Sequence, residues 1–269
     1  MPDISKALYN MRLLDDLAQK DSSVHRINSL VKLLTTVIYL TVVLSFGRYE
    51  IIRLMPFVFY PVLVFAFSEL PAAPVIKRIL LVEPLVIGVG ILNPLLDNQR
   101  ILLGNVAVSR GWITFISLFI KSSLAVTAGI LLIATTGMGK LASALRLLKI
   151  PKVFVLQLLL TYRYIYLLTE EAARMMRAYS LRAPGQKGVR LKHLGSFLGQ
   201  MILRTFDRAQ RLYDSMVLRG FNGDYNTGIK EKLKLKDFAY LVGWILFFTI
   251  ARIFDIPNLL GVLLTGVIV

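Results

Sequence analysis

The chain has 269 residues, of which 56% are hydrophobic, and its mean hydropathy is +0.65. It contains no cysteine and two histidines, which excludes a disulfide scaffold and a zinc site of the finger type. So large an apolar fraction also excludes a disordered chain. A net charge of +16 on a chain this apolar indicates a membrane protein whose basic residues are concentrated on one side.

Apolar runs predict about five membrane-spanning helices, because a span needs about 20 mainly apolar residues. The predicted spans are, in chain order, Leu30–Phe46, Ile51–Phe67, Ile76–Leu96, Trp112–Thr136 and Phe238–Phe254. Prolines occur in the second and third, where neighbouring helices can satisfy the carbonyls that proline leaves free. A last apolar run of 11 residues, Leu259–Val269, is short for a span and predicts a half-helix packed on the bundle.

The basic residues are concentrated between Gly137 and Lys236. This stretch has 19 Lys and Arg and 6 Asp and Glu, a net charge of +13. Basic residues favour the cytoplasmic side. With a cytoplasmic N-terminus, four spans return the chain to that side at Gly137, so charge and span parity agree. We therefore expect a plasma-membrane protein with three segments: a transmembrane bundle at 1–136, a cytoplasmic domain at 137–236 and a transmembrane segment at 237–269.

The cytoplasmic segment predicts two long amphipathic helices. The first begins at Pro151, a residue that suits the first helical turn, and continues to Leu181. A Pro-Gly pair in the sequence Ala183–Gly185 ends it. The second helix extends from about Lys187 to Leu218, and Gly220 is predicted to end it as a C′ glycine. Each helix therefore ends in an arginine followed by a small residue. One such arginine fits a favourable interaction with the helix dipole, whereas two suggest contacts with acidic pockets on partner subunits.

Two segments resemble the transmembrane T component of energy-coupling factor transporters, with cobalt-type (CbiQ-like) members the closest. They are RYIYLLTEEAARMMRAYSLRA and LGSFLGQMILRTFDRAQRLYDSMVLRGFNG, within Arg163–Gly223. The resemblance extends over most of the chain. It implies an all-α polytopic membrane bundle with two long cytoplasmic coupling helices, each ending in an arginine between small residues. That signature corresponds here to Leu181-Arg182-Ala183 and Leu218-Arg219-Gly220, with leucine where alanine is common.

The resemblance also implies a function and partners. Arg182 and Arg219 would dock into grooves on two ABC-type ATPase subunits, and the resulting motion would pass to a separate substrate-binding membrane subunit. The chain would not be an enzyme and would bind no metal or cofactor, because ATP and magnesium would lie on the ATPases. Its other contact would be the lipid bilayer, with no nucleic acid. The RGFNG sequence favours cobalt or nickel over vitamins, and we expect cobalt.

Three alternatives stay open at this stage. The first is a T component for nickel or for a vitamin such as biotin. The second is a membrane-bound lipid or prenyl enzyme, which would need clustered carboxylates for magnesium. No Asp-x-x-Asp motif occurs in or beside the predicted spans, and the doublet Asp15-Asp16 is isolated. The third is a membrane anchor whose basic helices bind anionic lipid, which would leave the two arginine-ended helices unexplained.

Two charged residues in apolar segments and the two histidines are further candidates for functional residues. Glu83 and Lys121 lie in apolar segments, where charges are costly and indicate a functional role by default. They could pair with each other, and Glu83 is the stronger candidate for an intramembrane functional residue. His25 and His193 are expected at the surface rather than as ligands.

Overall fold

The computed structural model of the protein describes residues 15–97, 100–103, 106–183, 189–223 and 231–254. Its main helices are α1 (Ser29–Leu44), a 3-10 helix (Ile52–Val58), α2 (Phe59–Ser68), α3 (Ala72–Gly90), α4 (Leu92–Leu96), α5 (Arg110–Thr136), α6 (Met138–Leu147), α7 (Lys152–Arg182), α8 (Leu191–Leu218) and α9 (Leu235–Ile253). The predicted all-α class is confirmed. All five predicted spans fall on helices, whereas the run Leu259–Val269 lies outside the described residues.

One short hairpin was not predicted. Strands β1 (Arg100–Leu103) and β2 (Val106–Ser109) pair antiparallel, with Leu103 opposite Val106. The two residues between the strands in the sequence are Gly104 and Asn105, a pair that favours a two-residue hairpin loop. The strands are only four residues long each and lie between two long apolar helices, so the apolar pattern of the sequence does not set them apart.

Within the described residues, three helical segments are long and apolar enough to cross a membrane: Ala72–Leu96, Arg110–Thr136 and Lys152–Arg182. The first two coincide with predicted spans. The third is α7, predicted above as a coupling helix. The helices of the first two predicted spans are shorter apolar helices, and α9 carries charges near both of its ends. The chain is thus a membrane protein by its helices, while the number of spans and the cytoplasmic position of α7 and α8 stay predictions.

The described residues group into two compact units, one comprising α6 to α8 with the residues before Leu17, and the other comprising the remaining elements. The larger unit has an aromatic core. Tyr39 of α1, Phe57 of the 3-10 helix and Phe248 of α9 are each almost completely buried. The Tyr39 ring lies 4.6 Å from that of Tyr60 and 5.5 Å from that of Phe248. Such tilted aromatic pairs stabilise a core beyond the area that they bury.

The N-termini of α1 and α9 are tied together by carboxylates. The buried Asp237 accepts hydrogen bonds from the backbone N–H of Asn28 at 2.9 Å and of Lys234 at 2.8 Å. Glu231 accepts one from the backbone N–H of Ser29 at 2.7 Å. Negative side chains are favourable at helix N-termini because the first N–H groups there have no helical partner. These bonds close the larger unit around residues more than 200 positions apart in the sequence.

The smaller unit buries far less of its helical surface. Of the 31 residues of α7, Val155 is buried, and none of the 28 residues of α8 is. α7 and α8 pack as an antiparallel pair, and Glu171 of α7 forms an ion pair with Arg204 of α8. The three-segment domain division proposed from the sequence stays a prediction.

Candidate functional site

The end of α8 is a Schellman motif built around Gly220. The N–H of Phe221 donates to the carbonyl of Met216 at 2.9 Å, and the N–H of Gly220 donates to Val217 at 2.9 Å. Gly220 has φ of +82°, a left-handed conformation that glycine adopts without a Cβ penalty. The predicted C′ glycine is confirmed. The motif places Arg219 at the cap position, at the point where the chain turns away from the helix axis.

The end of α7 has a different geometry. Arg182 is the last helical residue, and the cap Ala183 has φ of −128° and ψ of 68°. The N–H of Ala183 donates to Tyr179 at 3.0 Å, which is the last helical hydrogen bond. The following Pro-Gly pair lies outside the described residues. The two helix ends therefore share an arginine followed by a small residue in sequence, while their backbones end in different conformations.

The six predicted coupling residues are at the surface of the protein or partly exposed. Leu181 and Leu218 have 83% and 88% of their surface exposed, and both arginines are exposed. The guanidinium groups of Arg182 and Arg219 have no hydrogen-bond or ion-pair partner within the described residues. Each helix end thus places an exposed leucine beside an arginine whose guanidinium group has no partner within the described residues, and an acidic, partly apolar pocket on a partner would complement either end. The assignment of these residues to ATPase coupling stays a prediction.

An ion-pair cluster joins the two long helices of this unit. Glu171 accepts hydrogen bonds from Arg174 at 2.6 Å and from Arg204 of α8 at 2.7 Å. Glu171 lies in the charged second half of α7, beyond its apolar portion, and the two guanidinium groups hold the pKa of its carboxyl below the ordinary value. Sequence reasoning missed this cluster, although the spacing of Glu171 and Arg174 within one helix face could have indicated half of it.

Asp15 is bound by two tyrosines of α7. Tyr162 donates to one carboxylate oxygen at 2.8 Å, Tyr166 donates to the other at 2.9 Å, and the two hydroxyls lie 2.9 Å apart. From the sequence, Asp15 was interpreted as part of an isolated acidic doublet. The four-residue spacing of the tyrosines places them on one face of the helix, but their partner lies some 150 positions away in the sequence and no local pattern reveals it.

Glu83, the predicted intramembrane functional residue, is buried between α3 and α5. One carboxylate oxygen accepts a hydrogen bond from Ser123 at 2.6 Å, and the other has no partner within the described residues. Lys121 does not pair with it: its ammonium donates to the carbonyls of Phe46 at 2.7 Å and Gly47 at 3.2 Å. The suggested Glu83–Lys121 pair is therefore absent, because Lys121 instead satisfies carbonyls in the turn after α1.

The two histidines differ in environment. His25 is buried, contrary to the expectation of a surface position. Its Nδ1 lies 2.7 Å from the Ser22 hydroxyl and its Nε2 lies 3.0 Å from the Leu17 carbonyl. Both ring nitrogens are thus used in local structure. His193 is exposed at the start of α8, as expected. No group of three or more potential His, Asp or Glu metal ligands occurs among the described residues.

The architecture is that of a polytopic membrane protein with an exposed helix pair, and comparison with known proteins identifies its family. The family model described as CbiQ, cobalt transport protein, matches residues 20–229. That match extends over most of the chain, so the chain belongs to the CbiQ family of cobalt transport proteins. The family is a transport family rather than an enzyme family, and the resemblance noted in the sequence is confirmed.

Three relatives illustrate the breadth of the similarity. An uncharacterized protein of Methanocaldococcus jannaschii is 27% identical over 241 residues, which are 85% of this chain and 82% of that protein. The nickel permease LarQ of Lactiplantibacillus plantarum is 27% identical over 117 residues, 42% of this chain and 43% of LarQ. The cobalt transport protein CbiQ of Salmonella typhimurium is 27% identical over 152 residues, 51% of this chain and 67% of that protein.

Proposed function

We propose that this chain is the transmembrane coupling subunit of an ATP-driven importer for cobalt ions. It transmits the motion of two ABC-type ATPase subunits to a separate substrate-binding membrane subunit. The observation that carries the proposal is that α7 and α8 each end in an exposed arginine whose guanidinium group has no partner among the described residues, in a chain of the cobalt transport family. In this proposal the chain itself catalyses no reaction.

The chemistry of the helix ends supports docking on an acidic partner. Arg182 and Arg219 keep their charge at any physiological pH, and a guanidinium group binds a carboxylate through two parallel hydrogen bonds. Leu181 and Leu218 add exposed apolar surface next to each charge. ATP and magnesium lie on the ATPases, and movement there displaces the helix ends. This arrangement requires residues 137–236 and the N-terminus to face the cytoplasm, where ATP is available.

The side-chain inventory supports a separate subunit for the substrate ion. Cobalt and nickel favour several converging imidazole or thiolate ligands. The chain has no cysteine and two histidines, and both ring nitrogens of His25 lie within hydrogen-bond distance of Ser22 and Leu17. A substrate ion is therefore recognised by the partner membrane subunit, and this chain supplies the mechanical connection.

Nickel is the second candidate ion. The similarity to the nickel permease LarQ favours it, whereas the family model and the Salmonella typhimurium relative favour cobalt. In the proposed arrangement the choice of ion belongs to the substrate-binding subunit. Uptake of radioactive cobalt and nickel by cells that express the whole complex decides between them.

Co-purification tests the coupling role. The full chain carries an affinity tag and is expressed with the products of its neighbouring genes, and the proteins that elute in mild detergent are identified. We expect an ABC-type ATPase to elute with the wild-type chain. Its recovery should fall more than tenfold when Arg182→Glu and Arg219→Glu are combined, because each reversal places two like charges at a docking contact.

Matched charge reversals serve as controls for this test. Arg177→Glu on α7 and Lys192→Glu on α8 make the same change at exposed positions of the same two helices, away from their C-terminal ends. Recovery of the ATPase with this control pair should stay close to the wild-type level. An undiminished ATPase yield with the Arg182 and Arg219 reversals, or equal losses in both double variants, contradicts the coupling role of these arginines.

A further inference from the structure

The surface between α7 and α8 combines a cationic pocket with an apolar groove. Both features belong to the smaller unit, and they meet at Thr205, which lines both of them. The ATPase-coupling proposal uses neither feature. The two features adjoin on a pair of helices whose side chains are almost all exposed or only partly buried. This arrangement indicates a binding site for a molecule with a charged end and an apolar end.

The cationic pocket has a volume of about 300 Å³, and its lining residues are Leu168, Glu171, Arg204, Thr205, Arg208 and Arg211. Its three arginines are spaced along one face of α8, since residues three and four apart are neighbours on a helix. The single carboxylate, Glu171, already accepts hydrogen bonds from Arg174 and Arg204. Arg208 and Arg211 have no hydrogen-bond or ion-pair partner among the described residues, so their charge is available for an anion.

The apolar groove has a volume of about 460 Å³. Its lining is mostly apolar and includes Leu160 of α7 and Ala209, Leu212 and Met216 of α8. Along α8 the groove extends from Thr205 to Met216, a rise of about 16 Å at 1.5 Å per residue. That length is close to half the thickness of a bilayer hydrocarbon core, which is about 30 Å.

We propose that this surface binds one anionic glycerophospholipid. The phosphate lies between Arg208 and Arg211, within reach of Arg204, and an acyl chain lies in the groove beside Leu160, Ala209 and Leu212. Basic residues next to a membrane attract anionic lipid headgroups, and burial of the chain removes apolar surface from water. The site is independent of the docking role of Arg182 and Arg219 and holds whether or not that role is correct.

Three observations favour a lipid over a small phosphate-containing solute. A solute would occupy the cationic pocket but leave the adjoining groove, with its exposed apolar lining, in contact with water. The helix that forms one wall of the groove, α7, is also apolar enough to lie against the surface of a membrane. The groove is flanked by Tyr164 and Tyr213, and aromatic side chains of this type concentrate at the membrane–water interface.

Native mass spectrometry of the full-length chain in mild detergent tests the proposal. Phosphatidylglycerol or phosphatidylcholine is titrated into the wild-type chain and into Arg208→Ala combined with Arg211→Ala. We expect phosphatidylglycerol to bind more tightly than phosphatidylcholine. The double variant should lose affinity for phosphatidylglycerol by about thirtyfold, since each basic residue near an anionic lipid contributes roughly a factor of five.

A charge-matched variant and a groove-filling variant make the test specific. Arg163→Ala combined with Arg177→Ala removes the same charge from exposed positions of α7, where neither guanidinium group has a partner in the part of the chain that the structure describes, and it should leave the affinity within about twofold of wild type. Ala209→Trp fills the groove and should weaken phosphatidylglycerol binding at least fivefold, whereas Gln210→Trp, on the neighbouring position outside the groove, should not. A charge-conserving variant, Arg208→Lys with Arg211→Lys, should retain most of the affinity and shows that the fold tolerates changes at these positions.

Three results would overturn the proposal. Equal affinity of the wild-type chain and the Arg208→Ala, Arg211→Ala variant excludes the cationic pocket. Displacement of phosphatidylglycerol by millimolar inorganic phosphate, together with no effect of Ala209→Trp, indicates a free-phosphate site without a lipid chain. Equal losses in the two double-alanine variants indicate general attraction between a basic protein and an anionic lipid, rather than a site at Arg208 and Arg211.

Discussion

The two units of the protein differ in how far their apolar side chains are buried and their polar groups paired. In the larger unit, the aromatic core of Tyr39, Phe57 and Phe248 is almost completely buried, and Asp237 satisfies backbone N–H groups of two helices. In the smaller unit, α8 buries none of its residues, and α7 buries Val155. The core of the larger unit is formed by its own side chains, whereas α7 and α8 of the smaller unit expose apolar side chains and arginines whose guanidinium groups have no partner within the described residues.

This difference in burial predicts how single substitutions in each unit affect folding and binding. Interactions inside the larger unit are buried and packed, so single changes there have large effects on folding. Interactions along α7 and α8 are exposed, so single changes there have small effects on folding and can have large effects on binding. The contrast yields three measurements on the chain alone, beginning with the largest expected effect.

Removal of a core aromatic tests the packed unit. Phe248→Ala should lower the free energy of unfolding by about 3–5 kcal/mol, because a large buried side chain is lost and a cavity remains. Phe238→Ala, on the same helix but with 64% of its surface exposed, should change it by less than about 1 kcal/mol. Reversible unfolding of the full chain in mixed micelles, followed by tryptophan fluorescence, measures both. Similar losses for the two variants would remove the contrast between core and surface on α9.

A pair of glycine substitutions tests how α8 is held. Gly220→Ala should weaken the end of the helix by about 1–2 kcal/mol, since an L residue is strained at the φ of +82° found there. Gly195→Ala, inside α8 where an added Cβ meets nothing within 4 Å, should strengthen the helix by about 0.5–1 kcal/mol. Hydrogen exchange of α8 amides measures both changes. If both variants exchange like wild type, contacts outside the helix hold α8, contrary to the exposed helix described here.

Local sequence patterns were sufficient for most of the helices. The apolar runs at α1, α5 and α9 and the glycine that ends α8 are local signals, because a helix and its cap depend on neighbouring residues. The role of α7 was harder to decide. Its first half is apolar like a span, and its second half carries Glu170, Glu171 and several arginines, so the same helix satisfies both descriptions.

Long-range pairings could not be read from the sequence. Asp15 appeared isolated because its tyrosine partners are about 150 positions away, and Asp237 gave no sign that it accepts a hydrogen bond from Asn28, 209 positions away. His25 was expected at the surface because its neighbours in sequence are polar, yet its own turn surrounds it with Ser22 and Leu17. The arginine-ended helices were found because their signal is local.

The smallest expected effect concerns the ion-pair cluster between α7 and α8. Glu171→Gln should destabilise the pairing of these helices by less than about 1 kcal/mol at pH 7, because the side chains of Arg174 and Arg204 are 55% and 59% exposed and solvent screens the pair. The two arginines lower the pKa of the Glu171 carboxyl in the folded protein. Its contribution is therefore complete above the unfolded value of about 4.3 and is lost as the pH falls through the lowered folded pKa.

The pH dependence separates this cluster from a general effect of charge. The difference in amide protection between wild type and Glu171→Gln should be constant from pH 7 to about pH 5 and should shrink toward zero as the pH falls below about 4. High salt should reduce it at every pH, because exposed ion pairs are screened. Asp207→Asn removes an equivalent exposed carboxylate from α8 that has no partner within the described residues, and it should show no such difference. A wild-type advantage over Glu171→Gln that grows on acidification would have the wrong sign for a carboxylate with a lowered pKa, and it would mean that the cluster does not hold the two exposed helices together.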